Sequence, residues 1–221
     1  MKILKPSLGA LSAICLTAIV LIAVSYFQSR GAKAQLAEAY VATPTVQTTL
    51  AASVDRDIMF PILRDTVRQK YFLKTRLSDD QLDRIAELLM ANMPKQKEIT
   101  QTVMADLAPS HFSPAELEAI TAFSATPEAN AAAEAENTRT LTMIEMLEAG
   151  KSEEEVLEAI KFEESDALKS LNQELYAVFG GEAEYLSRSE AYKAAVKAAV
   201  TEQMVAVNAS ANEEIERKVK E

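Results

Sequence analysis

The chain has 221 residues, 48% of them apolar, with 5 Gly, 7 Pro and no Trp. That length suits one core of ordinary size, or one domain with an appendage, and so few breakers among many Ala, Glu, Leu and Lys exclude an architecture of strands and tight turns in favour of helices. All 33 acidic residues follow position 34, whereas four of the 23 basic ones precede it, so residues 35–221 carry 19 basic against 33 acidic groups, a formal −14. Such a surface repels phosphate backbones and argues against nucleic-acid binding; it equally argues against the body lying flat on anionic lipid.

The N-terminus opens with a short basic stretch, Lys2 and Lys5, followed by 20 uncharged residues over 8–27. A cleaved signal peptide has an apolar core of about 7–15 residues and then a small-x-small site, which Ala32-Lys33-Ala34 provides, with Ala23-Val24-Ser25 a weaker one. A membrane-spanning helix needs about 20 apolar residues, and Tyr26-Phe27 resembles an interfacial aromatic belt. Length and belt favour an uncleaved anchor over residues 1–30, N-in and C-out, with the body in the periplasm or its equivalent; secretion after cleavage near Ala34 is the alternative. Cys15, the one cysteine, lies inside the run. Ile14 before it is too large for a lipidation site, and the body is left with no disulfide, no thiol nucleophile and no cysteine metal ligand.

Residues 31–58 are rich in Ala, Thr, Val and Gln and are interrupted by Pro44, which predicts a tether containing short helical pieces. The helical domain then runs over 59–181. Pro61 suits the first turn of a helix carrying Ile62, Leu63, Thr66 and Val67. Ser78-Asp79-Asp80-Gln81 forms a capping box, with Leu77 and Leu82 as its staple and Ile85, Leu88 and Leu89 as the apolar stripe behind it. A further helix starts at Pro94, offers Ile99, Val103, Met104 and Leu107, and is ended by Pro109. The same grammar returns at Phe112-Ser113-Pro114-Ala115-Glu116-Leu117, followed by Ile120 and Phe123. Thr126-Pro127-Glu128 starts a helix with Leu141, Ile144 and Leu147 in its second half, and Gly150 occupies a left-handed C-terminal position. Ser152-Glu153-Glu154-Glu155 is a third box ahead of Val156, Ile160, Leu168, Leu171, Leu175 and Phe179, a stripe broken by Glu164. Gly180-Gly181 is a sharp break. Residues 182–221 then read as one long Ala-rich helix with Tyr185, Tyr192, Val196, Val200 and Met204 on a narrow face.

The chemistry-bearing residues are few. His111 is the one histidine, and the five glycines never take phosphate- or dinucleotide-loop spacing. A corner imidazole bonded to nearby backbone is the expected role for His111. Asp79-Asp80, Glu153-Glu154-Glu155 and Glu163-Glu164 could be imagined as acid–base pairs or calcium ligands, but the first two groups fall in helix N-terminal turns, where negative charge complements the dipole, and no EF-hand pattern surrounds any of them. Met90, Met93, Met104, Met143 and Met146 could line an adaptable apolar groove, although all stand at or beside ordinary core positions. No catalytic, cofactor or metal residue is assigned.

Residues 106–123, with Phe112, Ser113, Glu116, Leu117, Ile120, Phe123 and then Pro127, resemble the signature of a family of exported, all-helical bacterial domains of unknown function. That signature is an aromatic, Ser or Thr, two residues, Glu, a Leu/Ile stripe and a closing Phe. The likeness spans about residues 80–145, and it departs after Phe123, where Ser124 stands for a Tyr, Thr126 for a Ser and Ala129-Asn130 for Gly-Lys. It implies an exported helical domain and supplies no catalytic residue. The expectation is therefore an all-α irregular bundle behind an N-terminal membrane segment, non-enzymatic, anchored through residues 8–27 and acting through contacts with a protein partner. An exported carrier or chaperone that shields an apolar ligand or peptide in a groove is the alternative. A hydrolase using surface carboxylates is a remote third.

Overall fold

Ser78, Ser113 and Ser152 each take extended backbone and accept from the N–H three residues on, while Gln81, Glu116 and Glu155 reach back to the N-cap amide. Each box thus satisfies two of the donors that a helix leaves open at its start. Thr126 and Ser165 cap one-sidedly, accepting from the Ala129 and Leu168 N–H groups. The computed structural model describes residues 31–71, 77–161 and 164–207, together with 209, 213 and 217. Among them the chain is all-α with no strand. The helices are α1 (31–41), α2 (Pro44–Ala52), α3 (Arg56–Tyr71), α4 (Asp79–Met90), α5 (Met93–His111), α6 (Pro114–Ser124), α7 (Pro127–Glu148), α8 (Glu153–Ala159), α9 (Asp166–Phe179) and α10 (Glu182–Val207).

α10 lies along α5, α3 pairs with α4, α2 with α7, and α9 packs on both α6 and α10. The main core gathers around Phe112: Ala37 of α1, Ala108 of α5, Leu117 and Ile120 of α6, Phe179 of α9 and Tyr192 of α10. The Phe112 ring meets Phe179 at 6.1 Å and 82° and Tyr192 at 5.1 Å and 66°. Edge-on contacts of this kind add ~0.5–1.5 kcal/mol each to plain burial. Ile99 and Val103 of α5 pack against Val200 and Met204 of α10, and Val67, Leu82 and Ile85 form a smaller cluster between α3 and α4.

Residues 31–58 differ from the expected tether. Ala37 is fully buried, and Val41, Val46, Leu50 and Ile58 are buried with it. Pro44 does break the helix before it, but as the first residue of α2 rather than as the start of a loose segment. The polar composition that suggested solvation is spent on helix–helix contacts: Thr48 donates to Asn130 of α7 at 2.8 Å, and Gln101 of α5 donates to Gln47 at 3.1 Å. Small Ala37 lets α1 approach closely, so burial is achieved without large side chains.

Two prolines also behave differently from expectation. α3 begins at Arg56, so Pro61 lies inside it. The start is set instead by Asp55, whose carboxylate accepts from the Asp57 N–H at 2.9 Å and the Ile58 N–H at 3.4 Å, and burial of Ile58 offsets the backbone bond that Pro61 cannot make. Pro109 is likewise inside α5, whose last turn continues to His111 and closes with Phe112 N–H on the Ala108 carbonyl at 3.0 Å. The stripe from Val156 to Phe179 belongs to two helices, because Ser165 starts α9. Leu147, expected on an apolar face, is 53% exposed. Gly150 holds φ of 73°, the left-handed geometry expected of it, and the break at Gly180 takes the same form at 84°. No helix among the described residues is long and apolar enough to cross a membrane, and the run over 8–27 lies outside them.

Candidate functional site

The corner over residues 109–123 is a joint rather than a site. Phe112 is extended, Ser113 caps α6, and Glu116 is buried within the box. Glu116 accepts from the Ser113 N–H at 2.7 Å and from the Arg188 guanidinium of α10, also at 2.7 Å. Burial pushes its carboxyl up, but the Ser113 amide and hydroxyl and the Arg188 charge outweigh this and hold it below the usual carboxylate range. The ion pair locks the start of α10 onto the start of α6. His111 is half-buried and presents its ring edge to Tyr192 at 5.6 Å, an aromatic contact where a backbone bond was expected.

Beyond that joint a cleft of about 670 Å³ opens between α2, α5, α6 and α10. Met104, Phe112, Ile120, Phe123, Val196 and Val200 supply its apolar surface. Thr45, Thr49, Thr100, Ser124, Ser189 and Thr201 add hydroxyls. Tyr192 is committed elsewhere, its hydroxyl donating to the Met104 carbonyl at 2.8 Å. Thr45 Oγ1, by contrast, is buried with no hydrogen-bond partner, and an orphan polar atom of that kind is uncommon in a finished core.

The charge of the cleft runs against that of the chain. Its lining holds Lys193 and Lys197 and no carboxylate, imidazole or thiol, in a protein of net charge −10. Tyr40, at the edge, has its phenol pushed up to about 12 by burial and then by Tyr185, and Tyr192 is raised by burial and then by Tyr40. Both therefore stay protonated at neutral pH. The cleft offers an apolar surface, neutral hydroxyls and two ammonium groups, which equips it to bind an amphipathic molecule.

The other sequence candidates do not meet there. Of the five methionines only Met104 lines the cleft; Met93 is buried and Met143 borders a second groove between α3 and α7. That groove, about 700 Å³, is lined by Arg64, Arg68, Asp65 and Glu148 beside Ile62 and Leu147. Its arginines are already engaged, Arg64 with Asp79 at 2.7 Å and Asp83 at 2.5 Å, and Arg68 with Asp79 at 3.8 Å. Glu155 is held in its capping box and Glu164 accepts from Asn172, while Glu163 lies outside the described residues. Among the described residues no three His, Cys, Asp or Glu side chains converge as a metal site would require.

Sequence reasoning missed Thr45, Thr49, Lys193, Lys197 and Arg188. The signal available was the α10 face itself, where Tyr185, Ser189, Tyr192, Val196 and Val200 recur at helical spacing with Lys193 and Lys197 flanking it. No family model, curated protein or solved structure matches this chain.

Proposed function

We propose that this chain is a non-enzymatic, membrane-anchored helical domain on the extracytoplasmic side whose activity is to shield an apolar ligand in the cleft between α2, α5 and α10. The observation that carries this reading is the cleft itself. Its volume of about 670 Å³ lies within the ~300–1,000 Å³ of small-molecule sites, its surface is largely apolar, and one buried hydroxyl in it is unpartnered. The uncharged run over 8–27 and the likeness of residues 106–123 to exported helical domains support the anchor and the compartment. Three of the carboxylates that a hydrolase could use, Asp79, Glu116 and Glu155, are engaged in ion pairs or caps. A second reading, contact with a protein partner, is supported by the outward face of α10, where Leu186 and Val205 are 48% and 64% exposed.

A photo-crosslinking amino acid placed at Thr49 or at Leu186 of the full chain in intact cells tests both. The carrier reading expects a small-molecule adduct at Thr49 and none at Leu186. A discrete protein adduct at Leu186 with an empty Thr49 replaces it by the partner reading, and no adduct at either position defeats both.

A further inference from the structure

We infer that the occupant of the cleft is a single-chain anionic amphiphile of the fatty-acid type, its alkyl chain on the apolar surface of Met104, Phe112 and Val196 and its head group at Lys193 and Lys197. This deepens the carrier reading and rests on it. Three observations converge. First, the cleft interrupts the acidic surface: its lining contains two cations and no anion, although the chain carries 33 acidic residues against 23 basic. Second, Lys193 and Lys197 stand four residues apart on one helix, so both ammonium groups can reach one anion held between them. Glu190 pairs with Lys193 at 2.9 Å from the exposed side, whereas Lys197 makes no ion pair among the described residues.

Third, size and polarity suit one chain. The cleft, about 670 Å³, lies in the size range of small-molecule sites and accommodates one acyl chain with its carboxylate. The apolar end is buried, at Phe112 and Ile120, and the cationic end is exposed, with Lys193 69% open. An amphiphile therefore enters tail first and keeps its head at the lysines. Each methylene buried strengthens binding about four-fold, and the contacts with exposed lysines favour a carboxylate over an alcohol of equal length by up to about five-fold.

The test uses the full-length chain in nanodiscs of zwitterionic lipid, with two probes: a 16-carbon carboxylate carrying a diazirine near its methyl end, and the matching alcohol. The proposal expects saturable labelling of α5, α6 or α10 peptides by the carboxylate. It expects competition by unlabelled carboxylates that strengthens about four-fold per added methylene, and an alcohol up to about five-fold weaker. Lys193→Gln together with Lys197→Gln erases that preference while the helical circular dichroism is unchanged, both side chains being exposed. Equal cleft labelling by both probes, insensitive to the two substitutions, overturns the anionic amphiphile and leaves the carrier reading standing. Labelling confined to residues 8–27, or absent, overturns both.

Discussion

Removing the guanidinium that reaches Glu116 is the sharpest perturbation of the joint between α6 and α10. Arg188→Met keeps the aliphatic stem and leaves a carboxylate that is 8% exposed with only the Ser113 box to hold it. A hydrogen bond to a charged group is worth about 1.5–3 kcal/mol. Arg188 is itself 41% exposed and also lies 3.6 Å from Glu184, so solvent screening places the loss at the low end, about 1.5 kcal/mol. Glu116→Gln retains an acceptor for the Ser113 amide and loses the charge, at about 1 kcal/mol. Since the two changes remove one shared contact, the double variant should fall short of the sum by about 1 kcal/mol. Denaturant unfolding of the full chain in nanodiscs, followed by circular dichroism, measures all three. The pH dependence has a definite sign. The folded carboxyl of Glu116 lies below its ordinary 4.5, so its stabilisation is complete above that value and is lost as the pH falls through the folded pKa. The gap between parent and Glu116→Gln should be constant near neutrality and close in acid, as the pH falls below the ordinary 4.5 and through the lower folded pKa. Strictly additive single substitutions, or a gap that widens in acid, would refute the reasoning.

Phe112→Ala removes the ring that Phe179 and Tyr192 both meet edge-on and should cost about 3–5 kcal/mol in the same unfolding assay; a loss below 1 kcal/mol would mean the corner is not the centre of the core. Ala37→Leu forces volume into a fully buried position of α1 and should destabilise by about 1–3 kcal/mol, whereas a tether would accept it without change. Thr45→Val replaces an unpartnered buried hydroxyl by a methyl and should leave stability level or raise it by about 1 kcal/mol; a fall of that size would reveal a partner for the oxygen.

Local chemistry was the legible part of this chain. A capping box needs only four adjacent residues, so Ser78, Ser113 and Ser152 announced three helix starts, and Gly150 and Gly180 announced two ends. Helix type and the apolar stripes follow from spacing alone, which is why Leu117 and Ile120 read as one stripe and lie in the core. What stayed hidden depends on partners distant in sequence. Residues 31–58 look like a linker because Ala, Thr and Gln carry little hydrophobic signal, and their burial is decided by Asn130 and Gln101 arriving from α7 and α5. Asp55 has no Glu or Gln three residues on to mark it as a cap, so Pro61 reads as the start of α3 although Arg56 begins it. The cleft was hidden for a further reason. An empty volume is a property of four helices at once, and no single stretch encodes which side chains line it.

The most direct measurement of the central claim is the native mass of the full chain released from its own membranes. The account predicts one bound species per chain with the mass of a single-chain amphiphile, lost when Lys193→Glu and Lys197→Glu are combined in a variant of unchanged helical content. A parent chain that emerges folded and empty, or that carries a two-chain phospholipid indifferent to those substitutions, contradicts it.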